Sequence, residues 1–70
     1  LNTKFATIDY TNWRGERGER SIRPIRIEWG SNQWHLEPQW LLVAHDEKTN
    51  SERTFALEKI HSFAHQRETV

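Results

Sequence analysis

Arg20-Ser21-Ile22-Arg23-Pro24-Ile25-Arg26-Ile27-Glu28-Trp29 is the stretch from which the fold can be worked out. Its β-branched and aromatic residues read as a strand, longer than the others in the chain. The apolar residues change parity part-way along it. Ile22 is even-numbered, whereas Ile25, Ile27 and Trp29 are odd. Pro24 stands at the change and has no N–H to give to a central ladder, so the strand either lies at an edge or breaks at a bulge there. A one-residue bulge near Pro24 returns all four apolar residues to one face. The same bulge brings Arg23 and Arg26 to one side and leaves Arg20 opposite.

Upstream, residues 5–10 (Phe-Ala-Thr-Ile-Asp-Tyr) read as a short strand, and residues 11–18, with Asn12, Gly15 and Gly18, as a hairpin loop. Downstream, residues 30–39 form a long loop that carries Trp34 and Leu36, two bulky residues of a kind loops seldom hold. Trp40-Leu41-Leu42-Val43-Ala44 is a continuous apolar run and reads as a strand buried on both faces. Residues 45–52 are polar and turn the chain. Arg53, Phe55 and Leu57 alternate on one face of a fourth strand, a helical turn is expected at 58–60, and a fifth short strand at 60–65. Residues 1–4 and 66–70 are expected to fray. Short strands with little helix predict an all-β fold, a small barrel of about five strands whose closure removes exposed edges. The expected interior is Ile8, Tyr10, Ile22, Ile25, Ile27, Trp40, Leu42, Ala44, Phe55, Leu57 and Ile60.

Seventy residues make one domain, expected to span the whole chain. A chain this short buries only roughly 60% of its unfolded surface, which leaves no room for a large enclosed active site. Four Trp, three Phe and one Tyr supply the large rings that let a small core close. There is no cysteine, which excludes a disulfide framework and a thiolate metal site. No run approaches the ~18 apolar residues of a membrane span, and no signal peptide is visible, which fits a cytoplasmic protein without membrane contact.

Ten Lys and Arg balance ten Asp and Glu, unlike the basic excess of a bulk duplex binder. The distribution is uneven, because five of the seven arginines lie between positions 14 and 26. Arginine suits bidentate recognition of phosphate or carboxylate and stacks on rings. The series Arg14, Arg17, Arg20, Arg23, Arg26 does not have the spacing of one strand face, so a single patch of all five is not implied. One reading is a solvated edge strand defended by charge, with Glu16, Glu19 and Glu28 pairing part of the series. The other is an anion groove using Arg20, Arg23 or Arg26 together with Arg53. Trp40 reads as core and Trp29 as half-buried. Trp13 and Trp34 fall in loops, where three readings stay open: stacking on a base, anchoring a protein interface, or covering the barrel end.

His35, His45, His61 and His65 invite a metal reading. His61 and His65 make a ligand pair only on a helix, and no third ligand stands at a suitable offset, so no metal and no other cofactor is expected. No Ser/His/Asp ordering or phosphate-cradling glycine loop is present, and no catalytic residue is assigned.

The order Ile8-x-Tyr10, Gly15-Glu16, Arg20-Ser-Ile22-Arg-Pro24, Trp40-Leu41-Leu42-Val43-Ala44-His45-Asp46 and Arg53-Thr-Phe55-Ala-Leu57-Glu-Lys-Ile60 resembles the WYL domain. The family's Trp-Tyr-Leu reads Trp40-Leu41-Leu42 here, so any role of the central ring is absent. The resemblance covers roughly residues 5 to 62. It implies an Sm-like, SH3-type barrel, a bacterial or phage context and a sensor module of transcriptional regulators, some of which bind single-stranded nucleic acid or nucleotide-like anions. It gives weight to Arg20 and Arg53, since an arginine stands at both places in its pattern. The 30–39 loop is longer than the family usually shows. No helix-turn-helix lies in the chain. The start at Leu1 rather than Met is what a fragment or a processed chain shows.

Two functions follow as expectations. The first is a non-catalytic domain that binds a phosphate-bearing ligand, a single strand or a nucleotide, through Arg20, Arg23, Arg26 and Arg53 with Trp13 or Trp34. The second is an interaction module in which the 30–39 loop and the edge strand contact another copy of the chain or a regulator subunit.

Overall fold

The computed structural model describes residues 5–33 and 36–65. Trp34 and His35, and the chain ends 1–4 and 66–70, lie outside the described residues. The strands are β1 (Ala6–Thr11), β2 (Arg17–Gly30), β3 (Gln39–Asp46), β4 (Ser51–Ala56) and β5 (Ile60–His65), with a single 3₁₀ turn, Leu57–Lys59, between the last two. All are antiparallel in one sheet of order β4-β3-β2-β1-β5. The all-β class and five short strands are as expected. The expected closure is corrected. The chain passes from β4 to β5 through a three-residue turn, and no ladder joins these two strands among the described residues.

The β1–β2 connection is built on Asn12. Its side-chain oxygen accepts from the Arg14 and Glu16 amides, both at 2.9 Å, and its carbonyl accepts from the Gly15 amide at 2.9 Å. Such an Asx arrangement replaces ladder bonds that the reversing chain loses. Gly15 has φ +84°, a left-handed conformation that glycine adopts without a Cβ penalty. The β3–β4 turn uses Asp46, whose Oδ1 accepts from the Lys48 amide at 3.0 Å, and ends at Asn50 with φ 54°. Asparagine is among the few side chains that tolerate that region.

The bulge near Pro24 is present. Pro24 opposes Ala44 and Arg26 opposes Val43, leaving Ile25 as the additional residue. Opposed residues of antiparallel strands share a face, so one face of the sheet carries Ile22, Ile27 and Trp29 of β2 with Leu42, Ala44 and Trp40 of β3. The core lies on that inner face: Ala6, Ile8, Tyr10, Ile22, Leu42, Ala44 and Phe55 are buried, with Leu57 and Ile60 packed against them. Ile8 and Ile22 are completely buried, and burial of such a side chain contributes about 1.5–3 kcal/mol. Leu41 and Val43, on the other face, are also buried, so β3 is covered on both sides as the sequence predicts.

Three expected core residues are exposed: Ile25 (49%), Ile27 (58%) and Trp40 (54%). Their face was assigned correctly, but β1 accompanies β2 only as far as Ile22, and β4 accompanies β3 only as far as Leu41. Beyond those points, among the described residues, β2 and β3 continue as a two-stranded arm, and a cleft separates Ile25 and Ile27 from Leu57, Ile60 and Phe63 across the inner face. Trp29, expected to be half-buried, is 60% exposed and packs edge-on against Trp40, ring centres 5.3 Å apart.

Candidate anion-binding site

Register sorts the arginines. Arg20 opposes Ile8, and Arg53 opposes Ala44, so both stand on the inner face at the end of the core. Arg23 opposes His45 and Arg26 opposes Val43, which puts this pair on the outer face, as the bulge requires. The four arginines expected to share a ligand therefore divide into two pairs on opposite faces of the sheet.

The inner pair opens onto a recess of about 920 Å³ lined by Tyr10, Asn12, Trp13, Arg14, Glu16, Arg20, Asn32, Gln33, Glu52, Arg53, Thr54 and Phe55. The β1–β2 turn supplies one wall, β4 another, and residues 32–33 a third. Trp13, at the tip of the turn, is 57% exposed, with the Arg14 guanidinium carbon 5.1 Å from its ring centre. The recess brings Arg20, Arg53 and Trp13 together. Trp34 lies outside the described residues.

The arginines differ in what they already hold. Arg20 donates through Nη1 to Oδ2 of Asp46 at 2.9 Å, and Asp46 is completely buried. One guanidinium nitrogen is thereby engaged while the side chain also lines the recess. Among the described residues Arg14 and Arg53 make no ion pair. Arg23 donates to Glu47 at 3.1 Å and Arg26 to Glu28 at 2.9 Å. Arg17 makes a two-point pair with Asp9, at 2.9 and 2.7 Å, and the guanidinium holds the Asp9 carboxyl below its usual range. Arg17, Arg23 and Arg26 are thus charge-paired away from the recess, whereas Arg14 and Arg53, without an ion pair among the described residues, line it beside the Asp46-bound Arg20. Glu16 and Glu52 are its acidic residues, and Glu16 Oε1 accepts from the side-chain Nδ2 of Asn12 at 3.1 Å.

Tyr10 forms the floor between Arg20 and Arg53. Its hydroxyl oxygen accepts from the buried Ala56 amide at 3.3 Å, and its ring meets Phe55 edge-on at 4.9 Å. Burial pushes its phenol above the usual range, while the Ala56 hydrogen bond and the two arginines pull the other way. The phenol is therefore neutral at physiological pH. Neighbouring cations, the exposed Trp13 ring and a neutral polar floor suit an anion with a flat group attached. Sequence reasoning missed Asn12 and Arg14 as part of this site. The signal was the Asn12-x-x-Gly15 turn, which carries residues 13 and 14 at its tip.

His45 and His61 stand outside the recess. His61 Nε2 lies 2.6 Å from the Thr11 hydroxyl and His45 Nε2 lies 3.0 Å from Asn50 Oδ1, while no group of three metal-ligating side chains converges among the described residues. No helix among those residues is long and apolar enough to cross a membrane.

A family model described as WYL domain matches residues 1–65. No curated protein matches the chain.

Proposed function

Because the chain belongs to the WYL domain family, a family of regulatory, ligand-sensing domains of transcriptional regulators, we propose that its recess binds a phosphate-bearing ligand, a nucleotide or a short single strand. The observation that carries this reading is the convergence of Arg20 and Arg53 on one face, with Arg14 and Trp13 at the rim. Arg20 and Arg53 offer charge-assisted hydrogen bonds to phosphate oxygens. Trp13 offers ring surface for a base, a contact that contributes ~1–3 kcal/mol where it forms. No chemical step is assigned to the site, and the protein acts by binding.

The test is a fluorescence anisotropy titration with short labelled single strands and with free nucleotides. If two arginines meet phosphates on a single strand, log K falls against log salt with a slope of about −1.4. Arg53→Ala, which breaks no ion pair among the described residues, is expected to weaken binding about tenfold or more while the melting temperature stays put. Arg23→Ala and Arg26→Ala, on the far face, are expected to leave binding unchanged. Affinity that ignores salt, or that falls as much with Arg26→Ala as with Arg53→Ala, would remove the recess as the site.

A further inference from the structure

The arm formed by distal β2 and β3 carries a second surface, separate from the recess. From Pro24 to Gly30, β2 pairs only with β3 among the described residues, and no other described strand lies against its second edge. Beside that edge, on the inner face, Ile25, Ile27, Trp29 and Trp40 are each about half exposed or more. An open edge flanked by large apolar side chains is a template for another strand, and natural proteins ordinarily blunt such edges with charge.

Here the charges do the reverse. The edge reads Ile25-Arg26-Ile27-Glu28-Trp29, with opposite charges placed symmetrically about Ile27. We propose that two copies of the chain pair antiparallel along this edge, on a two-fold axis through Ile27. In that register Ile27 opposes its own copy, Ile25 opposes Trp29, and Arg26 opposes Glu28 twice over. Cross-strand neighbours share a face, so the apolar residues meet on the inner side and the ionic ones on the outer side. Arg26 and Glu28 already bond to each other at 2.9 Å within one chain, so the dimer joins two such pairs into a four-membered alternating array. A slip of one residue in the axis sets Arg26 against Arg26 or Glu28 against Glu28, so the charges choose the register as well as the partner. The interface is isologous, as a two-fold contact must be. The edge of β4 has no such symmetry. Glu52 and Arg53 are adjacent there and point to opposite faces, so two-fold pairing cannot bring them opposite each other.

Sedimentation equilibrium of the chain over a wide concentration range tests the proposal, with circular dichroism to show that each variant is folded. The parent chain is expected to form dimers. Arg26→Glu alone and Glu28→Arg alone are each expected to weaken dimerisation about tenfold or more, since each sets like charges opposite one another twice. An equimolar mixture of the two variants is expected to regain dimer as the mixed species, and the double variant Arg26→Glu/Glu28→Arg to dimerise with itself. A parent chain that stays monomeric at high concentration overturns the proposal. If its Arg26–Trp29 amides are then protected from hydrogen exchange, the edge is covered by another segment of its own chain. Dimers indifferent to both charge reversals overturn it too and place the contact on another surface. Neither result bears on nucleotide binding at the recess, where Arg53→Ala decides.

Discussion

Asp46 shows how one residue ties the recess to the fold. It is completely buried, takes a hydrogen bond from Arg20 and another from the Lys48 amide, and opposes Ile22 in the core register. Asp46→Ala removes the partner of a mostly buried guanidinium and opens the β3–β4 turn, at a cost of about 2–3 kcal/mol. Urea unfolding should show this as a lower midpoint at unchanged slope. Tyr10 gives a second expectation at this scale. Its phenol is raised above the ordinary value of 10.0 in the fold. As pH climbs past that value the unfolded chain gives up the proton first, while the folded chain keeps it. Stability from this group is therefore full below pH 10 and is lost as pH rises through the folded value. Thermal melts across that alkaline window should show the decline, and Tyr10→Phe should flatten it.

Among the elements, β2 is the one that organises the others, and the arm beyond its bulge behaves differently from the part before it. Trp29 and Trp40 meet across the arm in an edge-to-face contact while both stay exposed. Such a pair couples by about 0.5–1.5 kcal/mol, so a double-mutant cycle through Trp29→Ala and Trp40→Ala should return a coupling of that order in the monomeric protein. The sequence made the bulge readable, because Pro24 coincides with the parity change, and from it the separation of Arg20 from Arg23 and Arg26 follows. It also exposed the alternation that sets Arg53 beside Phe55. What it hid was the length over which each strand has neighbours. Ile27 and Trp40 occupy the core face by parity, yet parity says nothing about where β1 and β4 stop. The recess was legible only in part for a related reason. Arg20 and Arg53 stand out as residue types, whereas the approach of the Asn12 turn to β4 depends on how far the sheet curls.

The whole molecule is stabilised over a small core, and most of its surface serves other ends. At about 0.05–0.15 kcal/mol per residue, a domain of 70 residues is stable by roughly 4–10 kcal/mol. Ile22→Ala, at a fully buried position, removes about 2–5 kcal/mol of that. Differential scanning calorimetry should show a melting temperature lower by about 8 °C or more, against little change for truncation of exposed Leu36. The contact between Arg20 and Asp46 has a further bearing on recognition. A free arginine side chain gives up about 1.5–2 kcal/mol of rotamer entropy when it is immobilised. Arg20 surrenders part of that freedom when the chain folds, since the buried Asp46 carboxylate already holds one of its guanidinium nitrogens. On the proposed reading, a ligand oxygen would meet one cation that folding has already placed, Arg20, and another, Arg53, that makes no ion pair among the described residues. The first would set the orientation of what binds, and the second would accommodate variation in its size.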